Sequence, residues 1–287
     1  NKDLLFPLPI PLTVGSFPSN VISNAATMRN SGFEFNLGYR SQVGKFKYNL
    51  NANMHTVKNE VLKLGDNDDP IYGAGSKTEV GRSVGDIFVY RTAGLFNSQE
   101  DIAKHAQQVN AAPGDVRFVD TNGDNVINDL DRTWIGTQLP DLEYGMRIDM
   151  NYKNFDLSVF GSGVAGREGF DVYTVFNNLM RGRENVGPGV FNGWTPTNTN
   201  TDVPALTLKD NNSEGRTSDY FIVSTSYFKM RNVQLGYTLQ QKSIFSRLRF
   251  FLMGENLFLI KSKDHLSPDP ERIDLGPIPI PRTFTFG

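Results

Sequence analysis

The 287-residue sequence predicts an all-β fold: an antiparallel section of a transmembrane β-barrel with long outer loops and one short helix. Three observations lead there. Apolar and polar residues alternate with period two in successive segments, so each segment presents one greasy and one polar face. Neighbouring segments are joined by short links at one end, whereas roughly 20 to 60 residues separate them at the other, which is the habit of outer-membrane barrels. Tyr39, Tyr48, Tyr152 and Tyr237 fall beside the short links, where an aromatic girdle meets lipid headgroups.

Taken in chain order, "GFEFNLGYR" sets Phe33, Phe35, Leu37 and Tyr39 against Glu34, Asn36, Gly38 and Arg40. "KFKYNLNANMH" sets Phe46, Tyr48, Leu50, Ala52 and Met54 against Lys47, Asn49, Asn51, Asn53 and His55. "NSQEDIAKHAQQVN" interrupts with a helix signal: Ser98 as N-cap, Asp101 three places on, and Ile102, Ala106 and Val109 on one face. Alternation returns in "LEYGMRIDMNY", where Leu142, Tyr144, Met146, Ile148, Met150 and Tyr152 oppose Glu143, Arg147, Asp149 and Asn151. It continues through Phe155, Leu157 and Val159. In "YFKMRNVQLGYTLQ" the apolar parity shifts between Met230 and Val233, which predicts a β-bulge near Arg231 and Asn232. "RLRFFLMGENLF" begins with Leu248, Phe250 and Leu252 against Arg247 and Arg249 and then loses the pattern, and "RTFTFG" reads as a short last strand. Segments reach ~9–11 residues, the length a tilted strand needs to cross a bilayer. A soluble sandwich writes the same alternation. The connections and the tyrosines decide for lipid on the apolar faces and a wet lumen on the charged ones.

Composition removes several function classes. With 29 Lys+Arg against 31 Asp+Glu, the net charge of -2 lacks the basic footprint of a nucleic-acid binder. The absence of Cys removes a disulfide framework, a zinc knuckle and a thiol nucleophile together. His55, His105 and His265 are scattered and read as surface or lumen residues. "GSGVAG" (161–166) fits G-x-G-x-x-G, with Glu184 near the spacing of a ribose-binding acid, yet it follows a half-polar hairpin strand rather than a buried parallel one. Its glycines read as relief of crowding at a strand end. Neither a G-x-S-x-G elbow, a P-loop nor H-E-x-x-H occurs, so the sequence has no enzymatic constellation.

"DTNGDNVINDLD" is the one motif with metal-ligand spacing. Counted from Asp120, the ligand positions of a calcium loop fall on Asp120, Asn122, Asp124, the carbonyl of Val126, Asn128 and Asp131, with Ile127 at the apolar eighth place. Asn125 stands where glycine is usual, and Asp131 is shorter than the usual bidentate Glu. The loop is expected to hold Ca2+ in preference to Mg2+, as a structural brace. Sensing would need a second flanking helix, and "RTWIGTQLPD" is broken by Gly136 and Pro140. The competing expectation is an Asx-rich turn closed on its own backbone N–H groups.

"NEVLKLG" (59–65), "GRSVGDIFVYRTAGLFNS" (81–98), "PGDVRFVDTNGDNVINDLDRTWIG" (113–136), "YKNFDLSVFGSG" (152–163), "WTP" (194–196), "MRNVQLGYTL" (230–239), "GENLF" (254–258), "SPDPE" (267–271) and "PRTFTFG" (281–287) follow one another along the chain. In this order they resemble the C-terminal barrel region of SusC/RagA-type TonB-dependent transporters. The resemblance implies residence in the bacterial outer membrane and import of a bulky nutrient, a glycan oligomer or a peptide. It further implies a SusD-like surface lipoprotein as lid, energy from the TonB complex, and a plug domain and earlier strands outside 1–287. Barrels of this class have about 22 strands, so this chain is expected to supply one section of the wall. On that reading the short turns face the periplasm and the 120–131 loop lies outside. Cargo contact is expected from the 166–220 segment, which holds Trp194, Tyr173, Phe191, Arg181 and Arg183, since sugars stack on aromatic faces. Trp194 has the alternative of packing the loop. A soluble calcium-stabilised β-rich carbohydrate-binding module is the reading from a different class.

Overall fold

The structure is a computed structural model and describes residues 2, 4–9, 20–178, 186–207, 212, 213, 215–240, 246–271 and 280–287. In chain order the strands are β1 (Leu4–Pro9), β2 (Asn20–Ser31), β3 (Glu34–Val43), β4 (Phe46–His55), β5 (Lys58–Leu64), β6 (Ile71–Tyr72), β7 (Ser76–Thr78), β8 (Asp86–Tyr90), β9 (Thr92–Leu95), β10 (Val116–Phe118), β11 (Arg132–Gly136), β12 (Leu142–Tyr152), β13 (Phe155–Ala165), β14 (Glu168–Phe170), β15 (Ile222–Ser224), β16 (Tyr227–Leu239), β17 (Leu248–Lys261) and β18 (Thr283–Phe286). Helix α1 spans Gln99–Ala103 and helix α2 Val172–Asn178.

Seven strands form one sheet in the order β18-β17-β16-β13-β12-β4-β3, each neighbour antiparallel. Its register brings apolar residue opposite apolar residue across the wall. Tyr39, Leu50, Ile148, Val159 and Val233 are successive partners, as are Leu37, Ala52, Met146, Gly161, Met230 and Phe258. The alternate rows are polar: Arg40, Asn49, Asp149, Ser158 and Gln234 follow one another in the same way. A one-residue slip anywhere would put charges among the apolar rows, so the pattern itself specifies the register. On the apolar face Leu37 is 47% and Phe155 51% exposed, and Phe35, Tyr39, Met146, Leu235, Leu252 and Phe284 are exposed as well. Such a contiguous greasy field is the surface a membrane covers.

The bulge expected near Arg231 is present. Phe160 pairs with Asn232 but Gly161 with Met230, so Arg231 is the extra residue facing β13. On its other side Met230 pairs with Phe258 and Asn232 with Glu255, which leaves Asn256 and Leu257 opposite Arg231. Asn256 takes φ 54 there, and this kink is why the alternation of "RLRFFLMGENLF" fails after Gly254. The glycines of "GSGVAG" have a packing reason. A Cβ on Gly163 would lie 2.6 Å from the Tyr144 ring and one on Gly161 2.6 Å from the Phe228 ring, and those two rings stack with centroids 6.4 Å apart. At the short-turn end Tyr39 lies 5.8 Å from Tyr48, and Phe155 4.7 Å from Tyr237, where the aromatic girdle is expected.

The inserts between wall strands carry the remaining structure. Residues 56–141 hold β5 to β11 and α1, and β2 with β5 prolongs the β3–β4 hairpin outward through Ser31↔Lys58 to Met28↔Val61. Small cores form there: Ala26, Val61 and Leu64 in one cluster, Tyr90, Val116, Phe118 and Ile127 in another. Helix α1 begins as expected, with Ser98 Oγ accepting from the Asp101 N–H at 3.1 Å, but it ends at Ala103, before Ala106 and Val109.

One histidine expectation is corrected: His265, in the β17–β18 connection, is only 2% exposed. His105 is half-buried, bonds the Phe118 carbonyl at 2.8 Å and packs edge-on to Phe96. His55 does sit on the polar face, 3.6 Å from Glu143.

Candidate functional site

The site is built from the polar face of the wall and the inserts at the end opposite the short turns. On the wall, Arg249 donates to Asp156 at 2.5 Å, Arg147 to Asp149 at 3.1 Å, and Ser158 to Asp149 at 2.7 Å. Asn49, Asn51 and Asn53 run alongside on β4. This is a hydrogen-bonding surface of balanced charge, suited to a water-filled passage for a polar solute.

The 120–131 loop is a chain of Asx turns. Asp120 accepts the Gly123 and Asn125 N–H groups at 2.7 and 2.9 Å, Asn122 accepts Asp124 N–H at 2.9 Å, and Asp124 accepts Val126 N–H at 2.9 Å. Asn125 takes φ 64, the left-handed geometry expected at that place. Asp131 is fully buried and turned inward, taking Thr121 N–H at 2.9 Å and Asn128 N–H at 2.8 Å. Ile127 drops into the Tyr90, Val116, Phe118 core, and Tyr90 Oη donates to Asp129 at 2.7 Å. Burial and the Asp129 carboxylate push that hydroxyl up to about 12, so it stays a donor. The Asn122 amide and Val126 N–H hold the Asp124 carboxyl below its ordinary value. Among the described residues, no three acidic or histidine side chains converge as a metal cage. Asp120 and Asp124 nevertheless spend only part of the four or so lone-pair sites a carboxylate offers.

Of the cargo candidates, Trp194 is 9% exposed. Its Nε1–H goes to Asn97 Oδ1 at 2.9 Å, and its ring lies where a Gly114 Cβ would be, 2.6 Å away. The ring therefore packs the 166–226 insert onto the 56–141 insert. Tyr173 opens α2 half-buried, and its N–H goes to Asp171 Oδ1 at 3.0 Å. Helix α2 packs on the 3-10 turn Pro188–Asn192, where Phe191 is exposed. Arg181 and Arg183 lie outside the described residues. Sequence reasoning missed a cleft of about 340 Å³ between the two inserts, lined by Gly75, Ile87, Gln138, Phe170, Thr217 and Ile222, because its walls come from chain segments far apart.

Comparison with known proteins decides what kind of wall this is. No family model matches. The TonB-dependent receptor P3 of Formosa agariphila is 30% identical over 318 residues, covering 100% of this chain. The TonB-dependent receptor SusC of Bacteroides thetaiotaomicron is 27% identical over 295 residues, covering 99% of it. This chain is a relative of the SusC-type TonB-dependent receptors. Among solved structures the RagAB peptide transporter matches with a TM-score of 0.76 at 20% identity over 94% of the chain, which fixes the SusC/RagA barrel fold. The SusC-type section places the apolar rows in the bacterial outer membrane, where such receptors reside. It spans 31% of the length of receptor P3 and 28% of SusC.

Proposed function

We propose that residues 1–287 form the C-terminal barrel section of an energised outer-membrane importer whose plug and earlier strands lie outside this stretch. The observation that supports it best is the two-faced seven-strand sheet, apolar on one side and hydrogen-bonding on the other, whose end strands β3 and β18 each pair on one side only among the described residues. The cargo is a bulky polar nutrient, an oligosaccharide or a peptide. A SusD-like lipoprotein covers the outer mouth, and TonB supplies energy from the periplasmic side. Tyr173, Arg181 and Arg183 contact cargo in this reading, and Trp194 holds their insert in place. The 120–131 loop binds Ca2+ through Asp120, Asn122, Asp124, the Val126 carbonyl and Asn128, with Asp131 closing the turn. Spare carboxylate lone pairs and all-oxygen chemistry favour calcium over magnesium. The chain performs no bond chemistry of its own.

The full-length receptor in outer membranes tests this reading through uptake of labelled oligosaccharides and peptides with and without a protonophore. Uptake of one class, abolished by the protonophore, is expected. Energy-independent leakage, or no uptake of either, overturns the proposal. The soluble carbohydrate-binding module would need its apolar rows covered by protein, and partition into buffer without detergent is the result that would favour it.

A further inference from the structure

Between β17 and β18, the segment His265–Glu271 lies against the outer ends of β16 and β17, with its carboxylates and several of its backbone groups engaged from two sides. The Lys229 ammonium, 3% exposed, donates to Asp269 Oδ2 at 2.7 Å and Glu271 Oε2 at 2.5 Å. Arg231, the bulge residue, forks onto both oxygens of Glu271 and reaches Ser162 Oγ through Nε at 2.9 Å. Tyr227 Oη donates to Glu271 at 2.6 Å. From the other side Asp171, 2% exposed, accepts the Leu266 and Ser267 N–H groups at 2.6 and 3.3 Å. Arg167 donates to the Pro270 carbonyl at 2.5 Å, and the Lys261 ammonium is held by the His265 and Ser267 carbonyls. Pro268 and Pro270 bring no N–H that would need a partner.

Lys229 and Arg231 belong to the wall, whereas Arg167 and Asp171 open the 166–226 insert. The segment thus bridges wall and insert. Buried Asp269 and half-buried Glu271 face the Lys229 and Arg231 cations, and removing one partner strands an uncompensated charge, so the contact is kept or lost as a unit. We propose that His265–Glu271 is a charge-locked strap fixing the 166–226 insert to the barrel wall, with Lys229 and Glu271 as its positioning residues. The proposal rests on the importer reading for its purpose, since that insert carries the cargo candidates, but the strap itself is a statement about geometry.

The test uses the full-length receptor in outer-membrane vesicles, with spin labels at Phe191→Cys, 91% exposed in the insert, and Asn154→Cys in a short turn. The parent is expected to give one narrow distance distribution. Glu271→Gln and Lys229→Met should broaden it and speed trypsin cleavage after the exposed Lys263 by ~10-fold or more, while Lys229→Arg should stay near the parent. Faster cleavage with an unchanged distribution would show that the strap does not hold the insert. No change in Glu271→Gln would show that the lock is not ionic. Should Lys229→Met fail to reach the heat-modifiable barrel form, the isosteric Glu271→Gln decides alone. Cargo uptake is scored separately: its absence in the parent overturns the importer reading, and the distances judge the strap.

Discussion

At the scale of single residues, two neighbours on β3 carry opposite expectations. Leu37 stands in an apolar row opposite Ala52, and Asn36 in a polar row opposite Asn53. Leu37→Arg should destabilise the barrel by roughly 2–4 kcal/mol near the bilayer midplane, whereas Asn36→Arg should be close to neutral. Denaturant unfolding from lipid vesicles measures both, and equal costs would contradict the facing. Gly163 offers a second case. Tyr144 and the Tyr227 carbonyl occupy the space a Cβ would take, so Gly163→Ala must displace the ring at a cost of about 1–3 kcal/mol. The same unfolding assay reads it. Both arguments were open to sequence reasoning only in part: parity identified Leu37 and Asn36, but nothing near Gly163 in the chain announces the ring of a neighbouring strand.

At the scale of elements, the 120–131 loop and the strap respond to different variables. Asp131→Ala removes the acceptor for two N–H groups in a fully buried position, and should open the loop by about 2 kcal/mol in hydrogen exchange of the Ile127 amide. If the loop binds calcium, a chelator should loosen that amide as well and added Ca2+ should restore it, while Mg2+ should do less. The strap should respond to acid. Burial pushes the Glu271 carboxyl up, but Arg231, Lys229 and Tyr227 outweigh it and hold it at about 2, below the ordinary 4.5. A depressed carboxyl stabilises the docked state above its unfolded value and loses that contribution as pH falls through the folded one. Trypsin-resistant docking, assayed by acid pulse and return to neutral pH, should therefore hold at pH 5 and fail between about 4.5 and about 2. The "SPDPE" motif was legible as a string, yet its partners sit 40 residues away on β16.

At the scale of the whole molecule, the wall is a meander: strands adjacent in the sheet follow one another in sequence, with inserts looping out between them. That order lets each hairpin form locally and add to the last, which shortens the loop closures needed. The apolar face then requires a solvent. Full-length receptor should sediment with outer membrane and need detergent for release, and a monodisperse detergent-free preparation would count against the lipid-facing assignment. In the inserts, the aromatic residues do different work. Trp194, legible as a ring that could stack on sugar, is spent on Gly114 and Asn97, because a large ring at the junction of two inserts gains more from burial than from waiting in solvent.

Direction across the membrane came from the family resemblance, whereas period-two alternation and the parity break at Arg231 were sufficient by themselves to establish the wall strands, their two unlike faces and the bulge. These are local properties, since a pleated strand sends successive side chains to opposite sides whatever surrounds it. Only the tertiary structure decided that Glu271 meets Lys229 and Arg231, that Asp171 takes the Leu266 and Ser267 N–H groups, and that His265, the first residue of the strap, is buried. Those contacts join segments whose separation in sequence carries no trace of their distance in space, so they exist only once the sheet has set its register and brought the inserts together above it.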